Sequence, residues 1–326
     1  MEPEQLREQF EGVITVQPCP YTDDGEVDVD GLRKNTEFLL EHAEGRKFVV
    51  MTNGSNTEFY ANSVAEQKTV VQTVLDATEG YDVPVVVGTG RPSTRETVEM
   101  SKWAESIGAD GVMVVLPYYR QPTRERLYQH YVTVTDAIDI GVVLYNNPFV
   151  SGVWADPELV ARLGEINNFV GLKENTSSLP QYASIARHVD PAEVSVVSGL
   201  GEEVFLGTSL YGARGFVSLF ANYAPDIVYD LYAAVDRGDY DEAVTVYNRL
   251  EPLLSVRAEM FAEREEVTIL PKVQRGNPVV TAISKHAMDY LGLNGGPVRE
   301  PINNLTDEEK RAVEDAVDAV GINPIS

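Results

Sequence analysis

The run Phe169-Val170-Gly171-Leu172-Lys173 ends in a primary amine, with Glu174 and Asn175 directly behind it. Four or five apolar residues bounded by polar ones fit a short strand buried on both faces. Strand alternation puts Val170 and Leu172 on one face and Phe169, Gly171 and Lys173 on the other. Should the second face line a barrel, Lys173 stands at the C-terminal mouth, where barrel enzymes keep their chemistry. A partly desolvated ammonium releases its proton more readily, and the neutral amine can attack a carbonyl carbon to form a Schiff base. The plain alternative is a strand-end lysine that runs out into water, so the case for chemistry depends on what surrounds it.

The preceding apolar run, Gly141-Val142-Val143-Leu144-Tyr145-Asn146-Asn147-Pro148, places Gly141, Val143 and Tyr145 on one face, and Gly171 and Lys173 repeat that pattern one unit later. Neighbouring parallel strands in that register bring a phenol beside the amine, where it can relay protons as a carbinolamine forms and dehydrates. Gly54-Ser55-Asn56-Thr57-Glu58 follows another strand candidate and offers hydroxyl, amide and backbone donors suited to a small carboxylate; a plain turn feeding a helix has the same composition. Leu116-Pro117-Tyr118-Tyr119 also follows a strand candidate, and paired tyrosines there suit packing or an interface. Other chemistries find little footing. His42, His130, His188 and His286 lack metal-ligand spacing, no G-x-S-x-G elbow or P-loop occurs, and Cys19 has no neighbouring base and is read as structural.

The elements that must position these residues are legible as apolar runs alternating with helical stretches. The strand candidates are Val13 to Val16, Phe48 to Thr52, Val83 to Val87, Val112 to Leu116, Ile140 to Tyr145, Phe169 to Lys173, Val194 to Val197 and Gly215 to Ser218. Helix starts stand between them: Ser63 to Glu66 and Ser93 to Glu96 have the capping-box form, and Asp156-Pro157 sets an N-cap before a first-turn proline. A strand and a helix every 25 to 35 residues or so, eight times over, predict an α/β fold, a (β/α)8 TIM barrel. An open doubly wound sheet is disfavoured, because Gly88-Thr89-Gly90 lacks the third glycine and follows the third strand. A helix begins near Pro225. Tyr240 to Ala262, Thr281 to Leu291 and Thr306 to Val320 then read as helices with no strand between them, and Arg264 to Asn277 reads as a charged connector. The expected division is a catalytic barrel over residues 1–235 and a C-terminal helical domain over 236–326.

Composition limits the partners. Acidic residues number 51 against 26 basic ones, a formal net charge of −25, which disfavours nucleic acid as a partner. The acid is spread along the chain rather than gathered in a tail, as a solvated surface would be, and such self-repulsion calls for screening by salt. A cytoplasmic protein of a high-salt organism is therefore expected. One cysteine excludes an intramolecular disulfide. The first residues lack the basic and apolar regions of a signal peptide, and no apolar run approaches spanning length.

In this order the motifs resemble the dihydrodipicolinate synthase and N-acetylneuraminate lyase superfamily. The likeness runs from Val13 to the region of Pro301. It rests on Gly54-Ser55-Asn56-Thr57-Glu58, Pro117-Tyr118-Tyr119, Leu144-Tyr145-Asn146-Asn147-Pro148, Gly171-Leu172-Lys173-Glu174, Ser198-Gly199 and Gly296-Pro297-Val298-Arg299. The resemblance implies a (β/α)8 barrel with a C-terminal helical extension, assembled as a homotetramer of tight dimers. It also implies a class I lyase without metal or organic cofactor, in which Lys173 forms a Schiff base with pyruvate or another 2-keto acid. Tyr145 would be the proton-transfer phenol, Ser55 the relay hydroxyl, and Tyr119 the relay member supplied by a neighbouring subunit. Gly54, Ser55 and Asn56 would hold the keto acid's carboxylate, with Gly199 and Val217 completing the substrate-binding set. Two departures bear on the substrate. The family's loop reads G-[ST]-T-G-E where this chain has G-S-N-T-E, and true dihydrodipicolinate synthases carry an arginine where this chain has Val150. Lacking that arginine, a carboxylate on the second substrate has no obvious partner. The expectation is therefore a 2-keto-3-deoxy sugar-acid aldolase or dehydratase, with dihydrodipicolinate synthase or N-acetylneuraminate lyase as alternatives and a non-catalytic binding barrel behind them.

Overall fold

The computed structural model describes residues 1–264 and 279–325. Eight strands form one closed parallel barrel in sequence order: β1 (Gly12–Val16), β2 (Phe48–Thr52), β3 (Val85–Gly88), β4 (Gly111–Val115), β5 (Gly141–Asn146), β6 (Phe169–Glu174), β7 (Ser195–Ser198) and β8 (Gly215–Ser218). Every strand residue is buried. That explains why the strands read as continuous apolar runs, and each expected strand is found within two residues of its expected bounds.

The described chain divides into two compact units. The first comprises Met1–Thr15, Gly45–Thr52 and Gly80–Ser218. It holds nearly all of the barrel together with α1 (Pro3–Gln9), α4 (Thr94–Ser106), α5 (Arg124–Thr135), α6 (Pro148–Ser151), α7 (Pro157–Leu163), α8 (Leu179–His188) and α9 (Glu202–Ser209). The helices start where expected: Ser93 Oγ accepts from Glu96 N and Asp156 Oδ1 from Leu159 N, each satisfying an orphan amide of the first turn, but the capping box expected at Ser93 is only half made, the Glu96 carboxylate accepting from Ser93 Oγ. Between helices and sheet, Phe205 lies over Phe216 with ring centroids 4.3 Å apart.

Helix α1, which no sequence pattern announced, supplies the core at the N-terminal ends of the strands. Leu6 and Phe10 are fully buried. A Cβ on Gly111 would come within 2.3 Å of Leu6 Cδ2, and one on Gly141 within 2.7 Å, so these glycines are the room into which Leu6 fits. Polar bonds fix α1 there: Ser195 Oγ donates to Phe10 O at 2.5 Å, and the Arg214 guanidinium donates to Arg7 O and Glu8 O, both at 2.9 Å.

Strict alternation fails in β6. Val142 pairs with Phe169 but Val143 pairs with Gly171, so Val170 is an extra residue, a bulge. Phe169 consequently packs edge-on against Tyr131 of α5, centroids 6.3 Å apart, rather than sharing the face of Lys173 as expected. Beyond the bulge Gly171 stands opposite Val143; in the regular β4–β5 pair Gly141 stands opposite Gly111.

The second unit comprises Val16–Glu44, Asn53–Glu79 and the chain from Leu219 on. Its helices are α2 (Val29–Ala43), α3 (Val64–Thr78), α10 (Pro225–Asp236), α11 (Tyr240–Arg249), α12 (Glu251–Glu263), α13 (Val279–Tyr290) and α14 (Asp307–Val320). The capping box at Ser63 and Glu66 is complete in both directions. The single helix expected over Tyr240 to Ala262 is two, broken at Leu250 ahead of Pro252, which cannot supply an interior amide. Helices α12, α13 and α14 pack on one another. The expected connector from Arg264 to Asn277 lies, from residue 265 on, outside the described residues. Among the described residues no helix is long and apolar enough to cross a membrane.

Candidate active site

Lys173 and Tyr145 are direct partners across the β5–β6 pair, near the C-terminal ends of both strands. The ammonium nitrogen lies 4.0 Å from the centroid of the phenol ring. Both side chains are buried, Lys173 at 3% exposure and Tyr145 at 6%. Burial disfavours the charged form of the lysine and pulls its proton affinity down from the usual 10.5 to about 7. A substantial fraction of the amine is thus neutral near neutrality, the form that attacks a carbonyl. Desolvation is the cause, so the effect follows from placing a lysine at the end of an all-buried strand.

Behind this pair, on the opposite face of β6, lies a polar group that pattern reading passed over. Glu174 is buried and accepts from Asn146 Nδ2 at 2.6 Å. Burial pushes its carboxyl up to about 8, against the smaller opposing effect of the Asn146 bond. Asn146 is held on three sides, since its Nδ2 also donates to Ala155 O at 3.0 Å and its Oδ1 accepts from Ala155 N at 2.9 Å. The next residue, Asn147, points to the site: its Nδ2 donates to the Tyr145 hydroxyl at 2.7 Å. One signal was available in sequence, two adjacent amides directly after the strand tyrosine, but nothing there tells which amide faces the phenol.

The remaining expected residues are placed as follows. Gly199 follows β7, its amide donating to Glu174 O at 2.8 Å and its α-carbon lying under Asn175, with no room for a Cβ. Val217 is in β8, paired with Ile14 and buried. Tyr119 is 76% exposed in the single chain. Val150 lies in α6 and is 44% exposed.

Gly54, Ser55 and Asn56 belong to the second unit, where Ser55–Thr57 forms one 3-10 turn. Thr57 is a structural member of this loop: its Oγ1 accepts from Gly54 N at 3.2 Å and donates to Gln17 O at 2.7 Å. Asn56 Oδ1 accepts from Thr281 Oγ1 at 3.0 Å, and Ser55 is half-buried. The loop ends at Glu58 with φ of 55°, a left-handed conformation that costs a non-glycine residue energy and must be held in place. It is held by a fully buried ion pair. Lys285 Nζ donates to Glu58 Oε1 at 2.7 Å and to Pro297 O at 2.6 Å, and Arg299 N donates to Glu58 Oε2 at 2.9 Å. The guanidinium of Arg299 ties Gly25 O, Ala61 O, Asn62 and Glu66 around it, and Tyr21 lies 4.2 Å from both cations. The G-S-N-T-E loop and the late Gly-Pro-Val-Arg motif thus meet at one charge cluster. Cys19 stands at this cluster, and burial pushes its thiol up to about 11, so it is inert at neutral pH.

A barrel with a buried, readily deprotonated lysine against a strand-end tyrosine has the architecture of the class I lyases, enzymes that activate carbonyl compounds through an amine. Comparison with known proteins gives the family. The chain belongs to the dihydrodipicolinate synthetase family, whose sequence model matches residues 9–320. It is 35% identical over 308 residues to the 4-hydroxy-tetrahydrodipicolinate synthase of Methanothrix thermoacetophila, covering 94% of this chain and 96% of that one. It is 32% identical over 308 residues to the enzyme of the same name from Archaeoglobus fulgidus, covering 94% and 97%. The crystal structure of dihydrodipicolinate synthase from Thermotoga maritima superposes with a TM-score of 0.83 at 28% identity, over 96% of this chain and 99% of that one. The chain is accordingly a lyase of this family.

Proposed function

We propose that this chain condenses pyruvate with an aldehyde through a Schiff base on Lys173, and that the aldehyde is aspartate semialdehyde, as in a 4-hydroxy-tetrahydrodipicolinate synthase. The observation that carries the first part is the Lys173 amine, buried, with its proton affinity down to about 7, 4.0 Å from the Tyr145 ring. Neutral Nζ attacks C2 of pyruvate, and the carbinolamine hydroxyl leaves as water once protonated, with Tyr145 carrying the proton. The iminium draws electrons from C3, whose proton passes to the Tyr145 relay to leave an enamine; the enamine carbon adds to the aldehyde carbon, and the aldehyde oxygen takes up a proton from the same relay. The α-amino group of the added aspartate semialdehyde then attacks the imine carbon and displaces the Lys173 amine, which closes the ring as a cyclic imine and frees Lys173; the one water released is that of carbinolamine dehydration.

The supporting roles are part of the same proposal. Ser55 extends the relay from Tyr145, Tyr119 joins it from a neighbouring subunit of a homotetramer, and Gly54, Ser55 and Asn56 hold the pyruvate carboxylate, with Gly199 and Val217 against the substrate. The 76% exposure of Tyr119 in the single chain suits a residue that acts on another copy.

The aspartate semialdehyde assignment rests on relatives of that name along nearly the whole chain. Val150 favours a second reading: an exposed apolar side chain in α6 offers a substrate carboxylate no charge-assisted bond. That reading is an aldolase or dehydratase of 2-keto-3-deoxy sugar acids. A panel assay decides between them. The proposal expects the highest kcat/KM with pyruvate plus L-aspartate semialdehyde, and a higher value with 2-keto-3-deoxygluconate or N-acetylneuraminate would overturn the synthase assignment while leaving the Schiff base standing.

A further inference from the structure

We infer that Asn147 is a positioning residue of the proton-transfer site, holding the Tyr145 hydroxyl through its side-chain amide; this rests on the proposed role of Tyr145. Three observations carry it. First, the amide's orientation is determined. Its Oδ1 accepts from Phe149 N at 3.1 Å, which leaves Nδ2 as the group 2.7 Å from the phenol oxygen, so the contact is an N–H donated to Tyr145. Second, the residue has little freedom. Asn147 is 4% exposed, and its carbonyl accepts from Ser151 N at 3.0 Å and Ser151 Oγ at 2.8 Å, while Ser151 Oγ is shared with the backbone of Val153. Third, its support is separately braced, because Asn146 is bound to both Ala155 groups and to Glu174 of the strand that carries Lys173.

The chemistry follows from the direction of that bond. An N–H aimed at a phenol oxygen stabilises the phenolate more than the phenol, and so eases each step in which Tyr145 gives up its proton. It also occupies one lone pair of the oxygen and fixes the ring's rotation, which lets the hydroxyl hydrogen be directed at the reacting oxygen without a search. Asn147 holds the hydroxyl of Tyr145, and the Lys173 amine lies over its ring.

Asn147 also has a simpler role: it is the N-cap of α6. Serine and aspartate also cap helices, but neither offers the amide donor to the phenol. The variants Asn147→Ser and Asn147→Asp therefore keep the cap and remove the bond. Incubation with pyruvate in D2O reads proton transfer directly, because each passage through the enamine exchanges a methyl hydrogen for deuterium, visible by proton NMR without a second substrate. The expected result is a fall in the exchange kcat of about 10- to 100-fold in both variants. The KM for pyruvate should stay within about threefold, as expected for an interaction that acts on the chemical step. Melting temperatures near that of the unsubstituted protein would confirm that the cap is kept, and should one variant fail to fold, the other carries the test. Unsubstituted exchange rates in both folded variants would overturn the inference and reduce Asn147 to a helix cap. Borohydride trapping of pyruvate on the unsubstituted protein is run beside it: no adduct there would sink the role of Tyr145 and this inference together, whereas an adduct with unchanged variants would sink the inference alone.

Discussion

Lys173 and Glu174 are neighbours on one strand, and burial moves them in opposite senses. Folded Glu174 keeps its proton up to about pH 8, while an unfolded carboxyl releases it near 4.5. Between those values the unfolded chain binds fewer protons, so stability falls as pH rises, by up to about 1.4 kcal/mol per pH unit for this one group, and the contribution is whole only below the unfolded value. Lys173 does the reverse: its folded ammonium titrates near 7 and its unfolded one near 10.5, so stability rises with pH across that window. Glu174→Gln removes the first effect while keeping a neutral side chain of the same shape. Urea unfolding at steps from pH 5 to 7 should show the variant's stability falling less steeply than that of the unsubstituted protein, and parallel profiles would contradict the assignment. The lysine and the tyrosine were legible in sequence because each stands at or near the end of an apolar run. Glu174 was not, since the bond that gives it a role, to Asn146, spans 28 residues and crosses between strands. Asn147 escaped for a different reason: the donor direction that gives it a role exists only once β5 has turned into α6.

At the scale of elements, the barrel strands were readable because both faces of each are buried, which leaves one unbroken apolar signal. Short and irregular elements were not. Helix α1 has seven residues and a single buried position, Leu6, too little for a period to show. The bulge at Val170 left no mark in an apolar run, so alternation misplaced Phe169. Yet α1 carries a share of the stability, because Leu6 fills the space above two glycines and Phe10 is buried with it. Leu6→Ala should destabilise the protein by about 2–5 kcal/mol, the cost of deleting a packed leucine side chain and leaving a cavity. A change in urea midpoint worth less than about 1 kcal/mol would show that α1 is a loose appendage.

For the whole molecule, the dominant physical quantity is the net charge of −25. Charge of one sign spread over the surface opposes compaction, and the Debye length shortens from about 10 Å at 0.1 M salt to about 3 Å at 1 M. We propose that the chain is adapted to high salt. Its melting temperature should rise between 0.1 M and 2 M KCl, and indifference to KCl would remove the proposal. Composition made this charge plain, but nothing in composition locates the ions. The fully buried pair Lys285–Glu58, which holds the left-handed turn at the end of the G-S-N-T-E loop, draws its partners from positions 227 residues apart and could be found only in the fold.

The covalent role of Lys173 is read by borohydride reduction in the presence of pyruvate, in molar KCl, followed by intact mass and peptide mapping. One pyruvate-derived adduct per chain is expected, on the peptide that contains Lys173, and none in Lys173→Ala. An adduct on another lysine, or none in folded protein, would contradict it.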